Sequence, residues 1–293
     1  MAFSITTYNV GLLDIQLLGF KVFEFAKYTR VRAAALGEVL RDHVADIICI
    51  QELYHSRDIE WILDCSNKSY PFSTVFRSRR AWQLSPGLMI LSRHPICEFD
   101  QKIYTAQSID ERIFAPKGFQ SCLLKIPTFG HFRIVNTHLT AGGLFRHPES
   151  READMLRLQQ VREIVREWSP KLLSEKIVLC GDLNCGPTIS SANFEEFLDA
   201  GFTYGPDKAK GQRCESLLHT WDPQNELNRN SPHKTSPAQR IDHILVSEDV
   251  FKVANICIEN TLVFDSRSVN VERISVTVSD HYGISAQFFP CAG

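Results

Sequence analysis

Six short polar clusters sit where apolar runs of the chain end: Asn9, Gln51-Glu52, Asn136-Thr137-His138, Gly181-Asp182-Leu183-Asn184, Arg240-Ile241-Asp242 and Ser279-Asp280-His281. Their carboxylates, amides and imidazoles are the groups that bind a hard divalent cation, hold a phosphate and move a proton. Mg²⁺ takes oxygen ligands at near-octahedral geometry, keeps several waters and needs only one or two protein carboxylates. Glu52 is expected to be that ligand, with Asn9 and Asp280 reaching the same ion or its waters. Asp182 and Asn184 lie two residues apart behind an apolar run, so both can address one reacting phosphate or its attacking water. The same Asp-Leu-Asn can also close an Asx-turn. An imidazole that gains a proton is supported by a carboxylate on its far nitrogen. Asp242 is expected to orient His281 in this way, and His281 then deprotonates water or binds the phosphate. His138 is expected as a second phosphate ligand or as the acid that assists the leaving oxygen. The other histidines, among them His55, His147, His233 and His243, have no comparable setting.

The elements that must carry these clusters are legible from periodicity. The first half predicts strands over 3–9, 46–51, 86–91, 119–126 and 131–137, with helices over 30–43 and 58–65. Asp46-Ile47-Ile48-Cys49-Ile50 is a continuous apolar run, as expected of a strand covered on both faces. Cys122–Ile126 and His131–Val135 flank Pro127-Thr128-Phe129-Gly130 and predict a hairpin. The second half repeats the theme: a helix over 149–168 stopped by Pro170, a strand over 177–180, a helix near 190–200 stopped by Gly201, and strands over 241–247, 250–264, 271–278 and 282–289. Phe99 to Gly118 and Lys208 to Gln239 predict long loops, which in compact domains are usually functional or poorly ordered. No Pro/Gly/Ser-rich linker divides the chain, so residues 1–293 are expected to form one domain.

Composition narrows the class. With 293 residues and 44% hydrophobic content the chain can bury a large core, which excludes disordered and fibrous classes. The nine scattered cysteines form no CxxC pair and predict reduced thiols, hence a cytoplasmic or nuclear setting with peripheral membrane contact as a variant. No run approaches ~18 apolar residues and no basic-flanked leader precedes Phe3, so neither a membrane span nor a secretory signal is expected. A net charge of -2, from 32 basic and 34 acidic residues, argues against high-affinity non-specific binding of nucleic acid. Locally, Lys68 to Arg80, with Arg77, Arg79 and Arg80 beside Trp82, could form a rim for an anionic substrate or surface. GxSxG, GxxxxGK[ST], a strand-led GxGxxG and HExxH are all missing, which leaves a phosphodiester hydrolase as the class that explains most residues.

Taken in order, Tyr8-Asn9-Val10, Ala45 to Glu52, Asn136-Thr137-His138-Leu139, Gly181 to Asn184, Arg240 to Ile244 and Ser279 to Gly283 resemble the motifs of the endonuclease/exonuclease/phosphatase superfamily. That metal-dependent group contains the pancreatic-type DNases, abasic-site endonucleases, inositol-phosphate 5-phosphatases and neutral sphingomyelinases. The resemblance implies a DNase I-like four-layer α/β/β/α sandwich, two mixed sheets face to face with helices outside. It also implies Mg²⁺, or Mn²⁺ in its place, held through Glu52 with Asn9 and Asp280. Asp182 would orient the attacking water, Asn184 would bind the phosphate, His138 would stabilise developing charge, and the Asp242–His281 pair would complete the site. Leu218 to Asn225 and Asn136 to Ala141 resemble the sphingomyelinase-like branch, implying a monomeric phosphodiesterase that takes a phospholipid from a membrane surface or micelle. Phe99 to Gly118 and Leu144-Phe145 are then the segments available to touch a bilayer. Trp221-Asp222-Pro223-Gln224-Asn225 can instead brace the catalytic strand. A nuclease acting on DNA or RNA, and an inactive binding module of the same fold, are the alternatives.

Overall fold

The computed structural model describes residues 2–17, 20–78, 80, 83–144, 146–204, 219–229, 231, 233–248, 251, 256–264, 268–271 and 274–290, with the backbone alone for 16, 17, 20–22, 204 and 257–264. The first half runs β1 (Phe3–Asn9), β2 (Asp14–Leu17), β3 (Phe20–Glu24), α1 (Thr29–Arg41), β4 (Ile47–Gln51), α2 (Ser56–Ser66), β5 (Phe72–Val75) and β6 (Met89–Ser92). Next come β7 (Ile96–Ile103), α3 (Ile109–Phe114), β8 (Gly118–Ile126), β9 (Gly130–His138), α4 (Arg151–Trp168), β10 (Ile177–Asp182), α5 (Ser191–Asp199) and β11 (Phe202–Tyr204). The chain closes with β12 (Asp242–Ser247), β13 (Ile256–Phe264), β14 (Ser268–Val271), β15 (Ile274–Thr277) and β16 (Gly283–Pro290).

Two six-stranded mixed sheets form, ordered β13-β16-β1-β4-β6-β5 and β7-β8-β9-β10-β12-β11. Each has one parallel pair, β1 with β4 and β9 with β10, flanked by antiparallel neighbours. The correspondence extends to the helices, since α1 and α4 join the parallel strands while α2 and α5 follow them. The loose repetition in the sequence is therefore a repeat of topology. Ile5, Ile47, Cys49, Ile134, Val178, Cys180, Ile244 and Ile284 pack between the sheets. Ile48 and Ile50 turn outward onto α1 and α2, and Leu179 and Leu245 onto α4 and α5. Four layers result, α/β/β/α, the DNase I-like sandwich. The unbroken apolar runs of β4 and β10 follow directly, because both faces of each strand are covered.

Period-2 alternation then decides where the polar clusters point. Asn9 continues the inward series Ile5-Thr7, Gln51 continues Ile47-Cys49, His138 continues Ile134-Asn136, Asp182 continues Val178-Cys180, and Asp242 precedes Ile244-Val246. These side chains thus stand at the rim of the inter-sheet core, at the carboxyl ends of both parallel pairs. That is where open α/β sheets place ligands. Register confirms the convergence: Asn9 is opposite Gln51, and His138 is opposite Asp182. Beneath the rim, Gln51 Nε2 donates to Asn136 Oδ1 (2.7 Å), and Asn136 Nδ2 donates to the Ile50 and Met89 carbonyls, tying one sheet to the other. Gly181, at φ 151°, has no room for a Cβ against the Thr137 backbone, so a side chain one residue before Asp182 would push β9 and β10 apart.

The expected long loop over Phe99 to Gly118 is corrected by the structure, which places the rest of β7 and all of α3 there. An edge strand exposed along most of its length and carrying Glu98, Asp100 and Lys102 leaves no apolar alternation to read. The helix is set by a capping box, Ser108 with Glu111, a signal present in the sequence. Between Lys208 and Gln239, residues 208–218 lie outside the described residues and 219–239 form turns without a strand, apart from undescribed 230 and 232. The short strands β2, β3, β5, β11 and β14 carry too few residues to show a period. Among the described residues no helix is long and apolar enough to cross a membrane. The six described cysteines are free thiols, and burial pushes Cys122 and Cys185 up to about 12, where they are inert.

Candidate active site

Asp182 is the hub. Its Oδ2 accepts from Asn9 Nδ2 (2.8 Å) and lies 3.4 Å from His138 Nε2 and 3.9 Å from His281 Nε2. Its Oδ1 accepts from the Asn184 backbone N–H (2.9 Å), so the Asx-turn forms while the carboxylate still lines the cleft. Burial, with Asp242 adding repulsion, pushes the Asp182 carboxyl up to about 6. Asn184 sits at φ 48°, a conformation asparagine tolerates, and its Nδ2 donates to the Leu139 carbonyl (2.9 Å). Its side chain lines the same cleft as Asp182.

Glu52 follows the last residue of β4 at φ 62°, a strained left-handed position for a residue with a Cβ, costing roughly 1–2 kcal/mol. The bend turns the carboxylate into the cleft, where Oε1 accepts from Asn9 Nδ2 (3.2 Å) and lies 3.8 Å from His138 Nε2. Burial, together with the nearby Asp280, raises its pKa despite the opposing pull of Lys117. Asn9 thus spends its amide N–H groups on two carboxylates, one from each sheet, while its Oδ1 accepts from Gly11 N–H (3.0 Å). In this arrangement Asn9 positions ligands, its oxygen being turned to the backbone. Asp280 lines the cleft beside Glu52; its neighbour Ser279 donates to the Asn9 carbonyl (2.7 Å) and accepts from the His281 backbone N–H (3.1 Å).

The two histidines are held in opposite states. His281 Nδ1 donates to Asp242 Oδ2 at 2.9 Å, the expected pairing. Burial disfavours its charge, but Asp242, Asp280 and Asp182 together override that and hold the imidazole well above its ordinary range. His138 is pushed well below its ordinary range by burial, by Lys117 and by His281, and is neutral. Lys117 Nζ stands 2.8 Å from His138 Nδ1. The same ammonium stands 3.1 Å from Nε2, and that nitrogen also lies 3.4 Å from Asp182 Oδ2 and 3.8 Å from Glu52 Oε1, two acceptors that favour the ring proton there. A neutral His138 can donate a hydrogen bond to a phosphoryl oxygen or to the leaving oxygen.

Lys117 was missed by the sequence reading, although it too stands at the head of an apolar run, beside Gly118. Replacing it with Met removes one of the causes that depress His138. The imidazole is expected to titrate at higher pH, as read by NMR of its ring carbons, and kcat to fall at least about tenfold. An unchanged titration would show that the contact does not tune His138.

Much of what holds these groups comes from residues with no chemistry of their own. Arg32 is fully buried, and its five N–H groups reach the carbonyls of Val10, Gly11, Ala26, Lys27 and Val278 at 2.5 to 3.1 Å. On the other side, buried Arg157 holds the Thr140 and Pro148 carbonyls. Thr220 Oγ1 accepts from the backbones of Ile241 and Asp242, while Asn225 and Asn228 donate to the carbonyls of Ser279 and Asp280. The segment around Trp221-Asp222-Pro223-Gln224-Asn225 therefore braces the catalytic strand, and Trp221 also lines the cleft. Buried His243, which sequence reading set aside, approaches the Cys185 and Arg240 carbonyls through Nε2 (3.0 and 3.2 Å) and fixes the two loops against each other.

The donor set suits a hard divalent cation. Glu52, His138 and Asp182 offer ligand atoms within 4.8 Å of one another, as do Asp182, Asp242 and His281. Oxygens predominate, and buried Asp242 Oδ1 has no hydrogen-bond partner among the described residues. Two such clusters sharing Asp182 are compatible with one ion or two.

The endonuclease/exonuclease/phosphatase family model matches residues 6–281. Human sphingomyelin phosphodiesterase 2 is 26% identical over 174 residues, covering 55% of this chain and 38% of that protein. Inositol phosphosphingolipids phospholipase C of Schizosaccharomyces pombe is 24% identical over 291 residues, covering 88% and 64%. The chain spans less than two thirds of the length of either relative. A Staphylococcus aureus beta toxin variant solved with bound magnesium ions superposes with a TM-score of 0.74 at 19% identity, over 98% of this chain and 99% of that one. Truncated TDP2 from Caenorhabditis elegans gives 0.66 at 19% identity, over 98% and 97%. At these identities the likeness is one of fold.

Proposed function

The chain belongs to the endonuclease/exonuclease/phosphatase family, and on that premise we propose that it is a phospholipid phosphodiesterase of the C type, releasing a phosphorylated head group. The clustered acids and histidines on this scaffold make it a metal-dependent hydrolase. The observation that carries the lipid reading is the wall of the catalytic cleft. A cavity of about 310 Å³ lies against Glu52, Asp182, His138 and His281, and its other walls include Leu13, Phe23, Phe25, Leu144, Trp221 and Ile241. A nuclease needs cations along several phosphates of a strand. Among the described cleft-lining residues the cations are Arg146 and the protonated His281, and the apolar walls suit an acyl-bearing substrate. The sphingolipid-cleaving relatives support the same choice.

In this reading Glu52 and Asp280 would hold Mg²⁺ or Mn²⁺, with Asn9 fixing the Glu52 carboxylate. When bound, the cation supplies Lewis-acid polarisation of the phosphoryl group. Asp182, ionised above about pH 6, accepts a hydrogen bond from the attacking water and takes its proton. His281, protonated and held by Asp242, donates to a phosphoryl oxygen as charge builds there. His138 donates from Nε2, and Asn184 binds the phosphate beside it. These donors are preorganised by burial, which is where such contacts are most effective.

The test is hydrolysis by the purified protein with Mg²⁺, with an EDTA control, on sphingomyelin in mixed micelles and on duplex DNA with and without an abasic site. Release of phosphocholine that EDTA abolishes is the expected result. Cutting of DNA alone would keep the site and overturn the substrate, and no turnover of either would favour an inactive binding module.

A further inference from the structure

We propose that the face formed by α3 and the described residues 77, 78, 80 and 83–85 docks the protein on an anionic lipid surface, with the catalytic cleft opening beside that surface. The inference rests on the lipid reading above and names the surface through which its substrate arrives.

Helix α3 is built inside out. Asp110 and Glu111 are 5% and 6% exposed, whereas Ile109 is 71%, Ile113 41% and Phe114 41% exposed. The two acids are committed inward. Asp110 accepts the Leu144 backbone N–H, and Glu111 accepts from Thr140 Oγ1 (2.6 Å) and from the Ser108 backbone N–H (3.2 Å). A helix packed on a core and facing water shows the reverse pattern. Scattered exposed apolar residues are ordinary, but three on one six-residue helix form a patch.

The patch is continuous with positive charge. Leu84 N–H donates to the Phe114 carbonyl (3.0 Å) and Gln83 Nε2 to the Arg112 carbonyl (2.6 Å), which fastens Gln83 and Leu84 to α3. Arg112 on α3, and Arg77 and Arg80 ahead of Gln83, are exposed. Arg77 and Arg80 share a surface cavity of about 480 Å³ with Arg57, which also meets Asp58 at 3.1 Å. Residues 79, 81 and 82, where the sequence has Arg79 and Trp82, lie outside the described residues.

Position selects the occupant. Phe114 lines a pocket of about 80 Å³ together with Leu13, Ile15, Leu144, Glu52 and His138, so the patch borders the reacting groups. A protein seated there would cover the mouth of the cleft. A nucleic acid would satisfy the guanidinium groups but offer nothing to Ile109 and Ile113. A bilayer with anionic head groups accepts both kinds of side chain and also supplies the substrate.

The experiment is sedimentation of the full chain with vesicles of phosphatidylcholine alone and with about 30% phosphatidylserine, a level that gives a strongly negative surface. The chain is expected to bind the anionic vesicles. Ile109→Ser with Ile113→Ser should weaken that partition at least about tenfold. Arg77→Glu with Arg80→Glu should abolish the preference for phosphatidylserine. Both double variants should keep the parent rate on bis(4-nitrophenyl) phosphate, a soluble diester that needs no surface. Vesicle binding that both double variants leave unchanged, in a protein that still cleaves sphingomyelin, overturns the docking and spares the function. Binding that the variants weaken, in a protein that cleaves no lipid, supports the docking and removes the function. If vesicles are not bound and the arginine variant loses duplex DNA, the face belongs to nucleic acid and the docking is overturned.

Discussion

Asp182→Ala is expected to lower kcat/KM at least about 10³-fold, roughly 4 kcal/mol of transition-state stabilisation, while leaving the far-ultraviolet circular dichroism unchanged. The size follows from the number of groups that meet at this carboxylate: Asn9 from one sheet, His138 and His281, and the Asx-turn that orders Asn184. Asp182→Asn is expected to do nearly as badly. Both carboxylate oxygens accept from N–H donors, and an amide can accept at only one of them. The acid limb of the rate profile should fall through about pH 6, where Asp182 takes up a proton. Stability runs the other way for this group. Its folded pKa lies above the ordinary aspartate value of 3.8, so between roughly 3.8 and 6 the folded, metal-free chain binds the proton more tightly and gains stability as pH falls. Loss of rate in that window therefore does not come from unfolding driven by Asp182. Near-normal turnover of Asp182→Ala, with metal present, would remove Asp182 from the mechanism.

His281→Ala is expected to cost about 10²- to 10⁴-fold in kcat, with Asp242→Asn falling in the same range. The Asp242 carboxylate holds the ring through a 2.9 Å bond and keeps it charged, so the two residues act as one unit. Removing both should cost little more than removing His281 alone, because a carboxylate that supports an absent ring has nothing to support. The measurement is a double-mutant cycle on kcat, with thermal unfolding as a check on the fold. Additive losses would show that Asp242 contributes independently of the histidine. Asp242→Asn also leaves the protonated, buried ring without its paired charge, so that variant is expected to be less heat-resistant than the parent.

The layered fold was legible because its central strands are covered on both faces. Apolar runs such as Ile47 to Ile50 and Ile177 to Cys180 announce themselves, and α1 and α4 show plain helical stripes. The candidate site was legible for a related reason: a strand that has been apolar for four residues and then offers Gln51-Glu52 or Gly181-Asp182 has reached its rim. Where the signal depends on long-range partners, sequence was silent. Nothing local marks Arg32 as the clamp on five carbonyls, or separates Gln51 and Asn136, which lock the sheets together, from Glu52 and His138, which face the cleft. Lys117 was within reach of the rim rule but is one residue removed from its strand. Helix α3 was missed for the opposite reason, since its outward apolar residues fit neither a buried nor a solvated helix.

The amide of Asn9 bridges a carboxylate carried by one sheet and a carboxylate carried by the other, within a gap spanned below by Gln51 and Asn136. The reacting centre is therefore a seam. A slide of one sheet past the other by a fraction of an ångström leaves every backbone ladder intact yet changes the separation of Glu52 and Asp182 directly. The proposed turnover would then be a vernier on the alignment of the two sheets, and on warming it is expected to fade while the strands themselves still hold.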